Sequence, residues 1–416
     1  MRLLFVLFFL FSQTVVVFSQ DIKYAKKIIS NLSSPKMHGR GYVKKGEKRA
    51  ANFIRKEFKK DELKTFTKNY FQNFNFPINT FSKKIILKVD DKELFAGKDF
   101  VISAASPRIE GKFQIFSILG DTSSIEKQKE KYKNLNLSEK FVLTDSKERE
   151  IYRSNVFNSK GVILLCENNV WWHVSNGHEV SDFTAIKIKN DKIFDDSKAI
   201  TIKAKNKFFE KYKTQNVLGY IEGYAQPDSF IVFTAHYDHL GRMGKEAFFP
   251  GANDNASGTA MVMDLARHYS KQENKPRLSI VFIAFSGEET GLNGSKYFCE
   301  HPLFPLENIK FLINLDMVGT GSEGITVVNA SVFQKEFNTM VEINDNNQYL
   351  KEVKLRGESC NSDHCPFYTK GVPSVFIYTR GPKAGGYHTI YDTAEELSLT
   401  EYEDLFRLFI DFVKTF

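Results

Sequence analysis

SFIVFTAH (229–236), SGTAMVMDLARHYSKQ (257–272) and LSIVFIAFSG (278–287) decide the fold of this 416-residue chain. IVFTA and IVFIAF are unbroken apolar runs, too apolar to keep one face in water, and a segment of helical period separates them. Buried strands that alternate with helices require a largely parallel sheet covered on both faces. The pattern extends outward. NVLGYIEG (216–223), IKFLINLDMV (309–318), GITVVNA (324–330) and PSVFIYTRG (373–381) read as strands. NGSKYFCEH (293–301) reads as a helix, and LTEYEDLFRLFIDFVKTF (399–416) closes the chain as an amphipathic one.

Two further stretches precede this region. YAKKIISNL (24–32) and GEKRAANFIRKEFKK (46–60) carry apolar residues at helical spacing, with Gly39 and Gly41 marking the turn between them. From about residue 65 to 206 short strand-like runs follow one another, KKIILKV, KFQIFSIL, EKFVLTD, GVILLC, FTAIKI and AITIKAK, separated by charged turns. The helical candidate SSIEKQKEKYK is short and highly charged. This density of strands predicts a β-rich module at 65–206 inserted into an α/β domain made of 20–64 and 207–416, a mostly parallel mixed sheet sandwiched by helices. The length suits one large domain plus a second module.

The first residues read as a targeting segment. Arg2 is followed by the apolar run Leu3–Phe11, and Val17 and Ser19 fit the small-residue pattern before a cut, which predicts a signal peptide over 1–19 and export to the periplasm or medium. Ser12, Gln13 and Thr14 break the run, making it short for a membrane span of ~20 residues. No stable membrane insertion is therefore expected after its removal. Lys and Arg number 58 against 50 Asp and Glu, but no block of five like charges appears, so the net +8 reads as a solvated surface and not a nucleic-acid footprint. Cys166 and Cys299 lie in apolar or helical surroundings and read as buried thiols. Cys360 and Cys365 bracket NSDH, and no second cysteine pair exists to complete a metal knuckle, which favours a local disulfide.

Five residues suit a metal centre: His236 in TAHYDHLG, Asp254 in GANDNASG, Glu289 in FSGEETGLNGS, Asp316 in INLDMVG and His388 in YHTIYDT. His236, the consecutive Glu288 and Glu289, and Asp316 fall just beyond the carboxyl ends of predicted strands, where open α/β sheets bind ligands. Asp316 ends a strongly apolar strand, where an unpaired charge is costly and a cation is a good partner. Glu288 and Glu289 point to opposite sides in extended backbone, so one can ligate while the other faces water. In His236-Tyr237-Asp238 the Asp238 carboxylate is placed to orient the imidazole. Two zinc ions bring four positive charges against the three carboxylates, while a single tetrahedral zinc would be over-coordinated by five ligands. Two histidines argue against calcium.

These motifs, in this order and together with SDHCPFYTKGVPS, closely resemble the di-zinc exopeptidases of secreted bacterial aminopeptidases, a family related to glutamate carboxypeptidase and, without catalysis, the transferrin receptor. The resemblance covers the helical N-terminal stretch and about 214 to the C-terminus. It implies Asp254 as bridging carboxylate, His236 and Asp316 on one zinc, Glu289 and His388 on the other, Glu288 as general base and Tyr387 as oxyanion donor. It also implies peptide substrates with a free N-terminus. The insert resembles a protease-associated domain. Asn361 stands where some of these aminopeptidases have Arg before SDH. A carboxypeptidase, a glutaminyl cyclase and a non-catalytic receptor-like protein on the same fold are the alternatives.

Overall fold

The computed structural model describes residues 22–146, 149–382 and 386–416. The signal peptide expected at 1–19 lies outside the described residues. Two eight-stranded sheets organise the chain.

The larger sheet is mixed. Leu278–Phe285, Gln226–His236, Ile309–Leu315 and Ser374–Thr379 run parallel at its centre. On one side Lys207–Ile221 and then Phe71–Thr80 join antiparallel; on the other, Ile325–Val328 pairs antiparallel with Ser374–Thr379 and is followed by Val353–Leu355. Alternation along each strand serves two helical layers, as a central parallel strand requires. Ile231, Phe233 and Ala235 join a core with the helices Ile22–Leu32, Gly46–Lys60, Gly258–Tyr269 and Tyr402–Val413. Phe230 and Val232 join another with Asn293–Glu300 and His364–Thr369. The helix Gln334–Asn347, with only Phe337, Met340 and Asn344 buried, carries too weak an apolar stripe to stand out in the sequence.

The second sheet lies within residues 86–204 and also mixes directions, with Ile109–Ser117, Lys140–Thr144, Gly161–Cys166 and Thr184–Lys189 parallel. Two short helices, Ile125–Tyr132 and Arg149–Arg153, lie between successive strands of that parallel set, so the insert is less purely stranded than its sequence suggests. Its boundary differs from 65–206. Phe71–Thr80 pairs along its length with Lys207–Ile221 in the large sheet, so the chain leaves the first sheet after Thr80 and re-enters it at Lys207. FQNFNFPINT alternates like any half-buried strand, and nothing local tells which sheet it joins.

The two units share apolar surface. The core of the insert, including Phe100, Phe141 and Ile186, is continuous with Leu240, Met243 and Phe249 of the segment that follows His236, and Ile390 packs against it. Cys360 and Cys365 form a disulfide, Cys299 is a buried free thiol, and Cys166 is only half-buried because it ends its strand near the surface.

Candidate metal centre

His236 is the last residue of its strand, and Glu288–Glu289 and Asp316 follow the ends of the two strands beside it. Asp254 arrives on the irregular segment Ala252–Ser257, which leads into the helix Gly258–Tyr269. Asn255 accepts the Gly258 N–H through Oδ1 (2.9 Å) and donates to the Leu315 carbonyl (2.9 Å), tying that entry to the strand that delivers Asp316.

The structure brings the five expected ligands into two buried clusters. His236 Nε2 lies 3.3 Å from Asp254 Oδ1 and 3.4 Å from Asp316 Oδ1; His388 Nε2 lies 3.1 Å from Asp254 Oδ2 and 3.2 Å from Glu289 Oε2. Asp254 therefore divides its two oxygens between the clusters. A tetrahedral zinc with bonds of about 2.0–2.1 Å separates its donor atoms by about 3.3–3.4 Å, so these spacings are close to the edges of such a site. The electrostatics agree. Burial alone would lower His388, yet Glu289 and Asp254 push it up to about 10, and His236 is raised well above its usual range against the same penalty by Asp316, Glu288 and Asp254. A field that favours a proton on an imidazole nitrogen favours a metal cation there too. Asp316 Oδ1 is buried without a hydrogen-bond partner, which also fits a cation between the groups. The residues fit two zinc ions.

Neighbouring groups hold this set in place. His236 Nδ1–H donates to the main-chain carbonyl of Asp238 (3.1 Å), leaving Nε2 free to ligate. This corrects the expectation for Asp238: its carboxylate is 3.8 Å from the ring and instead accepts the Tyr42 hydroxyl (2.6 Å) and the Glu288 N–H (3.2 Å). Asp238 thus fixes the backbone of Glu288. Asp392 accepts the N–H groups of Asn253 (2.8 Å) and Asp254 (3.0 Å), and Ser362 Oγ–H donates to Asp316 Oδ2 (2.9 Å). Asp363, beside Ser362, takes a bond from Ser295 (2.5 Å) and is pushed up to about 7 by burial. The disulfide closes the loop that carries both residues.

Glu288 and Glu289 separate as consecutive residues should. Glu289 joins the cluster, whereas Glu288 lines a cavity of about 500 Å³ with His236, Asp254, Asp316, Tyr387 and His388. Burial raises the Glu288 carboxyl well above its ordinary value; His236 opposes the rise, and Glu289, Asp363 and Asp316 add to it. Tyr387 stacks on His388 with ring centroids 3.7 Å apart and reaches the same cavity, which Asn361 also lines.

Two groups had no role in the sequence reading. His239 is fully buried, its Nδ1 2.7 Å from Glu289 Oε1 and 3.9 Å from Asp254 Oδ2 and its ring edge-on to that of His388 with centroids 5.9 Å apart, so it forms a third possible imidazole ligand beside Asp254 and Glu289. The His-x-x-His spacing in TAHYDHLG was its only signal. Arg40, also fully buried, donates all five N–H groups to carbonyls: Nε to Tyr237 (2.8 Å), Nη1 to Leu32 (3.0 Å) and Pro250 (2.7 Å), Nη2 to Gly251 (2.6 Å) and Asp254 (3.1 Å). Gly39 and Gly41 flank it because a side chain at either would run into the Gly241 backbone. Burial pushes the guanidinium down to about 10, with Asp254, Asp392, Asp238 and Glu289 pulling it back, so it stays charged behind the carboxylates.

Replacing Arg40 with Met removes five hydrogen bonds to buried carbonyls, of which Gly251 keeps one other donor, the Ala256 N–H (3.2 Å), and Lys restores a charge without the planar fork. Both Arg40→Met and Arg40→Lys are expected to destabilise the protein by about 3 kcal/mol or more in urea unfolding. Wild-type stability in Arg40→Lys would show that the fork is dispensable.

Residues 216–413 match the model of peptidase family M28. Aminopeptidase YwaD of Bacillus subtilis is 28% identical over 257 residues, 58% of this chain and 52% of the relative. A probable zinc metalloprotease of Pyrenophora tritici-repentis is 41% identical over 113 residues, 26% of this chain and 23% of the relative. The chain thus spans about half the length of these curated relatives, or less. Among solved structures, BSAP, a zinc aminopeptidase from Bacillus subtilis, superposes with a TM-score of 0.74 over 95% of both chains at 21% identity, a likeness of fold. The segment that supplies all five clustered side chains lies within residues 216–413, the part of the chain that matches the model of peptidase family M28.

Proposed function

We propose that the chain is a di-zinc exopeptidase acting as an aminopeptidase, and the observation that carries this is the Asp254 carboxylate split between two histidine–carboxylate clusters at the floor of a cavity. Zinc held there supplies Lewis acidity, lowering the pKa of water and polarising a carbonyl. The protein's own groups do the rest. Glu288 is the base: with Asp238 fixing its main chain, its carboxylate accepts a proton from the attacking water and returns it to the leaving amine nitrogen. Tyr387 offers its phenol O–H to the developing oxyanion. The substrate's terminal ammonium finds carboxylates around the clusters, and Met317, Phe376 and Tyr378 form an apolar part of the cavity wall. The relatives named as an aminopeptidase and as a zinc metalloprotease support the same reading. A receptor-like protein has no need of a complete ligand set.

Export and a protease-associated character for the insert belong to the same proposal. The disulfide suits an oxidising compartment. Among the described residues no helix is long and apolar enough to cross a membrane. Cleavage after Ser19 should leave Gln20 as the first residue of exported protein, and an intact mass that retains the leader would contradict this.

Purified protein should contain two zinc ions per chain and lose hydrolysis reversibly to a strong chelator. Glu288→Gln should keep that zinc while kcat falls by a factor of ~10² or more, because only the proton shuttle is lost. Glu289→Gln should lose zinc instead; swapped outcomes would reverse the two roles.

One short peptide assayed with a free, an acetylated and a C-terminally amidated end separates the exopeptidase readings. Acetylation should slow cleavage by about 10² or more, since it removes the charge the carboxylates pair with, and amidation should matter little. The reverse pattern identifies a carboxypeptidase. Loss of ammonia from a Gln-starting peptide with every bond intact identifies a cyclase.

A further inference from the structure

We propose that His173, carried by the inserted domain, is a positioning residue for His388, so that the insert completes the metal centre; this rests on the two-ion reading above. His173 Nδ1 lies 3.0 Å from His388 Nδ1. A neutral imidazole that ligates through Nε2 carries its proton on Nδ1, and that N–H must be given an acceptor if the ring is to keep its tautomer and orientation. For His236 the acceptor is the Asp238 carbonyl two residues along the same chain. For His388 it is the lone pair of a histidine 215 residues away, in the loop between the strands Gly161–Cys166 and Thr184–Lys189 of the second sheet.

The contact is built on a rigid support. Trp172 donates its main-chain N–H to the His388 carbonyl (3.0 Å) and its indole N–H to the Ile102 carbonyl of the insert (2.7 Å), while its ring lies 5.1 Å from that of Phe249 in the peptidase domain. Trp172 therefore bridges the two units, and His173 follows it directly. Trp171 packs edge-on against His173 with ring centroids 4.6 Å apart, and Asn176 donates to Ser103 Oγ (2.7 Å), anchoring the same loop to the insert. His388 needs such support. Its backbone sits at φ 59°, the left-handed region that a residue with a Cβ adopts at a cost. Its own neighbours leave its Nδ1 to the insert, with Tyr387 stacked along the ring and His173 at its Nδ1 edge.

Hydrogen-bond positioning and simple packing predict different outcomes for two substitutions in the full-length protein. His173→Phe keeps a ring but has no acceptor; His173→Asn loses the ring but places Oδ1 near the former Nδ1. In competition against a chromophoric zinc chelator, His173→Phe should release one of its two ions with affinity lowered ~10–100-fold while the other is unchanged, and His173→Asn should stay near wild type. In the Phe variant kcat should fall with little change in KM, and added zinc should restore it. Two ions as tight as wild type in His173→Phe, or equal losses in the Phe and Asn variants, would overturn the proposal. Should the Phe variant fail to fold, His173→Gln, whose acceptor moves to the Nε2 place, is compared with His173→Asn, and equal zinc affinities again overturn it. Wild-type protein with fewer than two ions would instead overturn the two-ion reading, a separate result.

Discussion

A single guanidinium fan underlies the site. Arg40 converts five main-chain carbonyls from the N-terminal arm, the end of the His236 strand and the Pro250–Asp254 loop into one hydrogen-bonded unit. Buried carbonyls must be paired, and here pairing them also fixes the spacing between His236 and Asp254. The helices Ile22–Leu32 and Gly46–Lys60 thus do more than cover the sheet: the turn between them supplies the donor that sets the floor of the cavity.

Charge is the second constraint. Asp254, Glu289 and Asp316 converge on the three buried imidazoles of His236, His239 and His388, with Asp238, Asp363, Asp392 and Glu288 close behind. Such a cluster is costly unless cations neutralise it. Arg40 contributes one charge from behind, at carbonyl rather than carboxylate contacts, leaving the carboxylate oxygens free for metal. Asp238 and Asp392 spend their own oxygens on backbone N–H groups and a tyrosine hydroxyl, so they position neighbours without competing as ligands.

The insert is joined to this arrangement by apolar continuity and by hydrogen bonds. Leu240, Met243 and Phe249 belong at once to the segment leaving the metal centre and to the insert's core, and the loop bearing Trp172 closes over His388. Leaving the first sheet between Thr80 and Lys207 places both of its connections on one antiparallel pair, next to the strand that precedes Glu288.

The chain's local chemistry determined the central strands, most of the flanking helices and the candidate metal-binding residues, because apolar period and ligand type are properties of short segments. IVFTA, IVFIAF and FLINL can only be buried strands, and a carboxylate at the end of such a strand asks for a cation. Tertiary structure decided what depends on residues distant in sequence. FQNFNFPINT fits either sheet until its partner is known, so the edge of the insert was not legible. Asp238 stands beside His236 in sequence, yet its carbonyl and not its carboxylate meets the ring, since the backbone turn after the strand directs the side chain toward Tyr42 and Glu288. Arg40, His239 and His173 carry no motif of their own. Their roles arise from which carbonyl, carboxylate or imidazole the fold brings within about 3 Å, a distance that only the packed chain defines.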